Sequence, residues 1–119
     1  MRRPLLAALL LAALAAPGAA AETDAIDIVR NPGAYAGRFL TVRGTMRNVR
    51  PATAGGVALP VATVFDLVAG PAFLTVLSNV PPSCPMGSTV TVDGRFNQMT
   101  QIRQQLFVNV IEATQVSCR

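Results

Sequence analysis

Few side chains in this sequence could act as catalysts. The chain contains no histidine, so neither a Ser–His nor a Cys–His dyad can form, and no imidazole is available as a general acid or base. The carboxylates Asp66, Asp93 and Glu112 are far apart along the chain, and no local spacing brings two of them together. The glycines at 55–56 lack the lysine and the following helix of a phosphate-binding loop. The sequence therefore predicts a non-catalytic protein without a cofactor.

Two cysteines, Cys84 and Cys118, are the candidates for thiol chemistry. Their separation is not the C-x-x-C spacing of a redox pair, and a zinc ion would find only these two thiolates and scattered acids. An even number of cysteines in an exported domain favours a structural disulfide. Closing a loop of about 35 residues would stabilise the fold by roughly 4 kcal/mol. We predict a Cys84–Cys118 disulfide and no metal site.

The N-terminal segment predicts export. Two arginines precede an apolar run at residues 5–16, which is shorter than the roughly 20 residues that a transmembrane helix needs. The alanines at 19–21 fit a signal-peptidase site with cleavage between Ala21 and Glu22, and no cysteine for a lipid anchor lies nearby. We expect a signal peptide over residues 1–21, a mature domain over residues 22–119 without a transmembrane segment, and a periplasmic or extracellular location.

A short helix is predicted at the start of the mature domain. Thr23 or Asp24 can cap it, and Pro32 disfavours helical backbone at the residue before it, so the helix should end there. A turn is expected from Asn31 to Gly37, where the hydrophobic pattern changes to a period of two.

An internal repeat is the clearest structural signal. Residues 37–44 read Gly-Arg-Phe-Leu-Thr-Val-Arg-Gly and residues 87–94 read Gly-Ser-Thr-Val-Thr-Val-Asp-Gly, both of the form G-x-x-Φ-T-V-x-G, and Met46 and Phe96 continue the alternation. Alternation places the apolar residues of each copy on one face. A glycine within a strand is typical of a sharp bend at a barrel corner. We expect these to be the first and fourth strands of one barrel, lying side by side.

Three further strands complete the prediction. Runs of alternating apolar residues place them at 61–68, 73–78 and 106–113. The second and third strands form a hairpin about residues 69–71. Loops are predicted between the strands, at 52–56, 80–85 and 98–105. The loop at 80–85 contains three prolines, which exclude a helix or a central strand.

The predicted hairpin of the second and third strands is apolar on both faces. The core set is Phe65, Leu67, Leu74 and Val76, and the opposite set is Val64, Val68, Phe73 and Leu77. A solvated sheet face is normally polar. The second set therefore predicts either a partner, such as a second copy, another envelope protein or an apolar ligand, or a cover formed by the N-terminal helix or a long loop. Phe73 and Leu77 are candidate binding residues.

The arginines of the mature chain suggest a second candidate surface. Arg43, Arg47 and Arg50 lie along and just past the first strand, Arg95 lies on the fourth, and Arg103 follows it. Yet the mature chain has eight arginines against six carboxylates, a formal charge of only +2, and it has no tryptophan. Binders of single-stranded nucleic acid combine a positive groove with stacking aromatics. The arginines thus predict either an anion-binding patch or, as we favour, a solvated polar face.

The five-stranded pattern resembles the OB-fold superfamily, the five-stranded Greek-key barrels. The resemblance covers residues 35–116, and its motifs are Tyr35-x-Gly37-x-x-Leu40-x-Val42-x-Gly44, Phe65-Asp66 and Val90-x-Val92-x-Gly94-x-Phe96. With its signal peptide, the chain is similar to the small periplasmic bacterial OB-fold proteins. The resemblance implies an all-β, OB-like barrel after a short N-terminal helix. Two features depart from it: a proline loop replaces the usual helix between strands three and four, and the strands lack the aromatic pairs of nucleic-acid binders.

Together these observations predict an exported, non-catalytic binding or interaction module of the cell envelope. The alternative is a module that binds single-stranded nucleic acid or another anionic polymer through Arg43, Arg47, Arg50 and Arg95. The two hypotheses differ in which surface meets the ligand, and the residues do not name the ligand itself.

Overall fold

Within the residues that the structure describes, two short helices precede a barrel of five strands. The computed structural model describes residues 21–54, 57–79 and 81–118, so the predicted signal peptide, apart from Ala21, lies outside the described residues. The elements are α1 (Ala25–Arg30), α2 (Pro32–Tyr35), β1 (Phe39–Ala54), β2 (Val57–Ala69), β3 (Ala72–Ser78), β4 (Thr89–Ile102) and β5 (Gln105–Cys118). The strands close in the order β1-β2-β3-β5-β4. All pairs are antiparallel except β3–β5. The all-β prediction is confirmed, and the barrel is consistent with an OB-like fold.

The two copies of the repeat lie side by side. In the antiparallel pair of β1 and β4, Val42 is opposite Val92, Leu40 is opposite Gly94 and Gly44 is opposite Val90. A local two-fold axis between Val42 and Val92 therefore relates the two copies. This confirms the prediction that the first and fourth strands are neighbours with a common buried face.

Gly44 lies where β1 passes from β4 to β2, and Gly94 lies at a register shift between β4 and β5. A Cβ atom on Gly44 would lie 2.8 Å from the carbonyl oxygen of Val68 in β2. A Cβ atom on Gly94 would collide with the carbonyl oxygen of Glu112 and lie 2.8 Å from the Cα atom of Ala113, both in β5. Only glycine permits such close approach of two backbones. Both residues therefore form barrel corners, as predicted.

The barrel interior is filled by alternate side chains of all five strands. The fully buried set is Val42, Met46, Phe65, Leu67, Leu74, Val76, Val90, Val92, Phe96 and Ile111. All four hairpin residues predicted for the core belong to it. Ala25 and Ile28 of α1 join the same cluster, so the helix packs against the barrel.

A second, smaller cluster lies on the opposite face of the strands. It is formed by Ala52, Val64, Leu77 and Val110, with Val61, Ile102 and Phe107 partly buried around it. Each buried member on β2, β3 and β5 is the sequence neighbour of a core residue, so its side chain points away from the barrel interior. Ile102 and Phe107 belong to the distal part of β4 and β5.

The N-terminal segment differs from the prediction in two details. Asp24 is the N-cap of α1, but its side chain makes no capping hydrogen bond; its backbone carbonyl accepts from the N–H groups of Asp27 and Ile28. The helix ends before Pro32, as expected. The predicted turn from Asn31 to Gly37 contains α2 instead, because proline at the first helical position has a backbone angle that suits a helix.

Two predicted loops are strands. Residues 52–54 belong to β1, and residues 98–102 and 105 belong to β4 and β5. The distal hairpin of β4 and β5, residues 97–110, turns at residues 103–104 and pairs Met99 with Val108 and Thr100 with Phe107. We call it the β4–β5 arm. The arm could not be predicted as a strand pair, because its residues are mostly polar and show no continuous apolar face. Cross-strand side-chain pairs can stabilise such a hairpin. Residues 55–56 of the other predicted loop lie outside the described residues.

The predicted disulfide is present. Cys84 and Cys118 are bonded, with their Cα atoms 5.5 Å apart. The bond joins the proline-rich segment between β3 and β4 to the end of β5, where Cys118 is opposite Val90. Residues 81–88 contain no strand, as predicted for this loop. None of the helices in the described ranges is sufficiently long and apolar to traverse a membrane.

Candidate functional site

An apolar groove lies between β3 and β5. It has a volume of about 410 Å³, and Val29 of α1, Phe73 and Thr75 of β3 and residues 106–109 of β5 line it together with the β2–β3 turn. The exposed fractions of Phe73, Leu106 and Val108 are 57%, 52% and 56%. Met99, opposite Val108 on the β4–β5 arm, is also exposed. Large apolar side chains thus meet solvent around one groove.

The apolar outer face of the β2–β3 hairpin is only partly covered. Val64 and Leu77 are each 3% exposed, because the second cluster packs Phe107 and Ile102 of the β4–β5 arm against them. The cover over Val64 and Leu77 is therefore the β4–β5 arm, which includes residues 98–105 that the sequence predicted as a loop. Leu77 is not accessible for binding, which corrects its place among the candidate residues, whereas Phe73 remains accessible.

Arg43 and Arg95 lie on one outer face of β1 and β4, but each has a partner within the chain. Arg43 is opposite Thr91, and Arg95 is opposite Phe39. The guanidinium of Arg43 forms an ion pair with Glu22 at 3.0 Å. Nη1 of Arg95 donates to the carbonyl oxygen of Gly37 at 2.9 Å. Asp93 lies between the two arginines, opposite Thr41.

Arg47 and Arg50 lie further along β1, beside β2. Arg47 is exposed and opposite Asp66. Arg50 follows a register shift; its Nη1 lies 3.5 Å from the Asp66 carboxylate and donates to the carbonyl oxygen of Asn48 at 2.7 Å. Asn48 itself donates to Asp66. Arg47 is four residues from Arg43, about 13 Å along an extended strand, so the four arginines do not converge on one point. Arg103 is exposed at the tip of the β4–β5 arm.

A polar depression lies on the outer face of β1, β4 and β5. Its volume is about 610 Å³, and it is lined by Thr41, Thr91, Asp93, Thr114 and Gln115, with Arg38, Phe39 and the N-terminal residues 21 and 23 at its rim. Thr41 donates its hydroxyl hydrogen to Asp93 at 2.6 Å. Phe39 is 60% exposed. We call the surface that these residues line the polar depression.

Glu22 and Thr23, the residues before α1, help to form this surface. The backbone of Glu22 bridges to Thr41 in parallel orientation, and the N–H of Thr23 donates to the carbonyl oxygen of Thr41 at 2.8 Å. They extend the sheet beside the first residues of β1, since β2 pairs with β1 only from Thr45 onward. The Glu22–Arg43 ion pair adds to this attachment.

The remaining chemistry of the described residues is sparse. Within the ranges that the structure covers, no group of three or more Cys, Asp or Glu residues is placed to hold a metal ion. Glu112 accepts hydrogen bonds from Asn97 and Thr100. Asp66 contacts Arg50 and Asn48 of β1. Each of the three carboxylates noted in the sequence thus lies in a different polar contact.

Comparison of the chain with protein-family models and with curated proteins found no match in either case.

Sequence reasoning missed the exposed side chains of the β4–β5 arm and the centre of the polar depression. Both left a signal. Residues 106–111 carry apolar side chains on both faces of a strand, as the β2–β3 hairpin does. Thr41 and Thr91 occupy the same position of the repeat, so the pairing of β1 with β4 was bound to bring them onto one outer face.

Proposed function

We propose that the mature chain, residues 22–119, is an exported, non-catalytic binding module of the cell envelope, built on an OB-like barrel. Its partner in this proposal is an extended segment of another protein, bound in the apolar groove. The leader-like sequence at residues 1–21 supports export, and the Cys84–Cys118 disulfide is compatible with an oxidising compartment.

The exposed apolar side chains of the groove carry the proposal. Phe73, Leu106 and Val108 each expose more than half of their surface around one groove, and Met99, opposite Val108, is exposed beside them. Contiguous exposed apolar surface is typical of interaction sites. Because Phe73 lies on β3 and Leu106 and Val108 lie on β5, a single bound segment could contact all three.

Unpaired strand edges on both sides of the groove favour an extended segment. β3 begins at Ala72 and β5 begins at Gln105, but the two strands pair only from Thr75 with Val110 onward, over four residue pairs. β2 and β3 by contrast pair over seven. Asn109, whose φ of 50° departs from the extended conformation, directly precedes Val110, the first residue of β5 that pairs with β3. A bound strand could use these edges for backbone hydrogen bonds and the apolar side chains for specificity.

The alternative, binding of single-stranded nucleic acid or another anionic polymer, receives less support. Arg43 and Arg50 are each paired with a carboxylate, and Asp93 lies between Arg43 and Arg95. A polyanion would have to compete with these carboxylates. Arg43, Arg47 and Arg50 are spread along β1, and Arg95 lies on β4. A single-stranded ligand instead requires the cations to line one groove.

Selection from a displayed library of random 12-residue peptides, followed by fluorescence anisotropy on residues 22–119, tests the proposal. We expect the selected peptides to carry apolar residues at alternate positions. Phe73→Ser should weaken their binding at least tenfold. Met86→Ser is the matched control, because Met86 is an exposed apolar residue outside the groove, and it should leave binding unchanged.

Light scattering on the eluting protein distinguishes another occupant. A dimer that Phe73→Ser dissociates would mean that a second copy fills the groove, and the proposed partner would be wrong. A monomer from which no alternating peptide is selected, or peptides that bind Phe73→Ser as well as the wild type, would equally contradict it.

A further inference from the structure

The segment before α1 lies beside β1, at the edge of the polar depression. Glu22 bridges to Thr41 in parallel orientation, and Ala21 lines the depression together with Asp93 of β4. The bond between Ala21 and Glu22 is the one at which the sequence predicts cleavage by signal peptidase. The predicted cleavage site therefore lies at the rim of a depression that contains a carboxylate.

Asp93 has no ion-pair partner among the described residues. Neither of the two ion pairs in the described ranges includes it. Its Oδ1 accepts the hydroxyl hydrogen of Thr41 at 2.6 Å, whereas no described residue donates to its Oδ2. One oxygen of this carboxylate is thus open to a further donor.

The arginines around the depression are held by other groups. The guanidinium of Arg38 lies over the ring of Tyr35, 5.3 Å from its centroid. Arg43 is paired with the Glu22 carboxylate at 3.0 Å, and Arg95 donates to a backbone carbonyl oxygen at 2.9 Å. The three cations surround the depression, but none of them neutralises the carboxylate at its centre.

Glu22, Thr41 and Asp93 form one row across three adjacent segments of the sheet. Glu22 is opposite Thr41, and Thr41 is opposite Asp93. The bond to the Thr41 hydroxyl holds the Asp93 carboxylate over β1, so the backbone of Glu22 lies on the order of one strand spacing, 4.8 Å, away from it. Opposite charges interact appreciably at this distance.

Cleavage creates a cation at this place. Hydrolysis adds one water molecule across the Ala21–Glu22 bond, so that Ala21 departs with a carboxylate and Glu22 keeps an amine that takes up a proton. A free α-amino group has a pKa of about 7.7–8.0 and is mostly protonated at neutral pH. We propose that the α-ammonium group of Glu22 pairs with Asp93 and fastens the new N-terminus to the barrel. This inference rests on the export proposed above, because export includes the cleavage.

The pairing distinguishes the processed chain from its precursor. Before cleavage the nitrogen of Glu22 belongs to an uncharged peptide group and offers Asp93 no charge. The Glu22–Arg43 ion pair and the bond from the N–H of Thr23 to Thr41 are present in the uncleaved chain. The ammonium group therefore adds an attachment that only processing provides.

An NMR titration of residues 22–119, produced with Glu22 as the first residue, tests the contact. The Cα chemical shift of Glu22 reports the protonation of the α-amino group between about pH 6 and pH 10. We expect the amine to hold its proton about threefold more tightly in the wild type than in Asp93→Asn, as for an exposed ion pair. Asp27→Asn is the matched control, because Asp27 is an exposed acid of α1 that does not line the depression, and it should leave the titration unchanged.

A longer chain provides a second control. Addition of Ala20 and Ala21 before Glu22 moves the amine by up to about 7 Å along an extended chain. In this longer chain Asp93→Asn should no longer change the titration of the amine. The same dependence on Asp93 in both chains would contradict a contact made by Glu22 itself.

The pH dependence of stability is an independent readout. Pairing raises the pKa of the amine in the folded chain above its unfolded value of about 7.7–8.0, so the stabilisation is complete below that value and is lost as the pH rises through the folded pKa. The difference in unfolding free energy between the wild type and Asp93→Asn should therefore shrink between about pH 7 and pH 9. Arg38, Arg43 and Arg95 stay charged over this range and contribute equally at both ends.

The pairing is overturned if Asp93→Asn leaves the titration of Glu22 unchanged, if Asp27→Asn changes it as much, or if the difference in stability does not depend on pH. N-terminal sequencing of the full chain expressed in a Gram-negative host separates this inference from the proposed function. We expect Glu22 as the first residue. An uncut chain in the cytoplasm would refute export, whereas an exported chain cut at another bond would leave export standing and refute the pairing.

Discussion

At the scale of single residues, Gly94 is the position where the barrel most needs a residue without a side chain. A Cβ atom there would run into the backbone of Glu112 and Ala113 in β5, and a backbone cannot move aside as a flexible side chain can. Gly33 in α2 is the contrasting case, since a Cβ atom would meet nothing within 4 Å. The two positions make a matched pair for the same substitution.

We expect Gly94→Ala to lower the free energy of unfolding by about 3 kcal/mol, because the added methyl group forces β4 and β5 apart. Gly33→Ala should raise it by about 0.5 kcal/mol, because alanine restricts the unfolded chain without strain in the folded one. Urea unfolding of both variants measures the difference. Equal stability of the two would mean that the corner at Gly94 does not require glycine.

The conformation of Arg103 provides a second prediction at this scale. Its φ of 57° at the tip of the β4–β5 arm lies in the left-handed region, which costs a residue with a Cβ atom about 1 kcal/mol relative to glycine. Arg103→Gly should therefore raise the free energy of unfolding by about that amount. Asn48 has a φ of 56°, but asparagine tolerates this region and its side chain bonds Asp66. Asn48→Gly should give no gain in a thermal melt, and a larger gain there than at Arg103 would contradict the argument.

At the scale of the elements, the β4–β5 arm decides which outer residues of the hairpin are accessible. Phe107 and Ile102 pack on the second cluster, so Leu77 is buried while Phe73, four residues earlier on the same face, is not. The sequence could not separate these two residues, since both have the same alternation. The separation depends on where a distant hairpin lies, and residues 98–105 are too polar to predict that hairpin from a local pattern.

Leu77→Ala should therefore cost about 3 kcal/mol of unfolding free energy, as for other buried leucines. Phe73→Ala should cost less than about 0.5 kcal/mol, because an exposed side chain loses few contacts. Chemical denaturation followed by circular dichroism gives both values. A large loss for Phe73→Ala would place that ring in the folded core and remove it from the proposed binding surface.

At the scale of the whole molecule, a barrel could be predicted from the sequence, but the pairing of β3 with β5 could not. The repeat contains the information for β1 and β4, because two strands with matching glycine bends and one apolar face each can share one core. The parallel contact of β3 with β5 joins segments more than 30 residues apart and covers only four pairs. Nothing in either strand marks its register. The apolar groove lies beside this short β3–β5 pairing. The position of the candidate site therefore could not be predicted from the sequence.

The disulfide and the hydrogen bonds of the proline-rich segment offer two ways of holding the same part of the molecule. The bond closes a separation of 34 residues, for which the chain-entropy estimate is about 4 kcal/mol. The segment is also held to β1, since Gly87 donates to the carbonyl oxygen of Met46 at 2.7 Å and Met46 donates to that of Ser88 at 3.0 Å. These backbone contacts do not require the sulfur atoms.

We therefore expect reduction to destabilise the barrel without abolishing its fold. The free energy of unfolding should fall by about 4 kcal/mol in dithiothreitol, because the unfolded chain gains conformational freedom. The double variant Cys84→Ala/Cys118→Ala should be destabilised without reductant and should not respond to it, which controls for effects of the reagent. Urea unfolding with and without dithiothreitol measures both. A loss below about 1 kcal/mol would contradict the expectation, because the disulfide would then restrict the unfolded chain little. Complete unfolding on reduction would mean that the barrel core alone cannot maintain the fold.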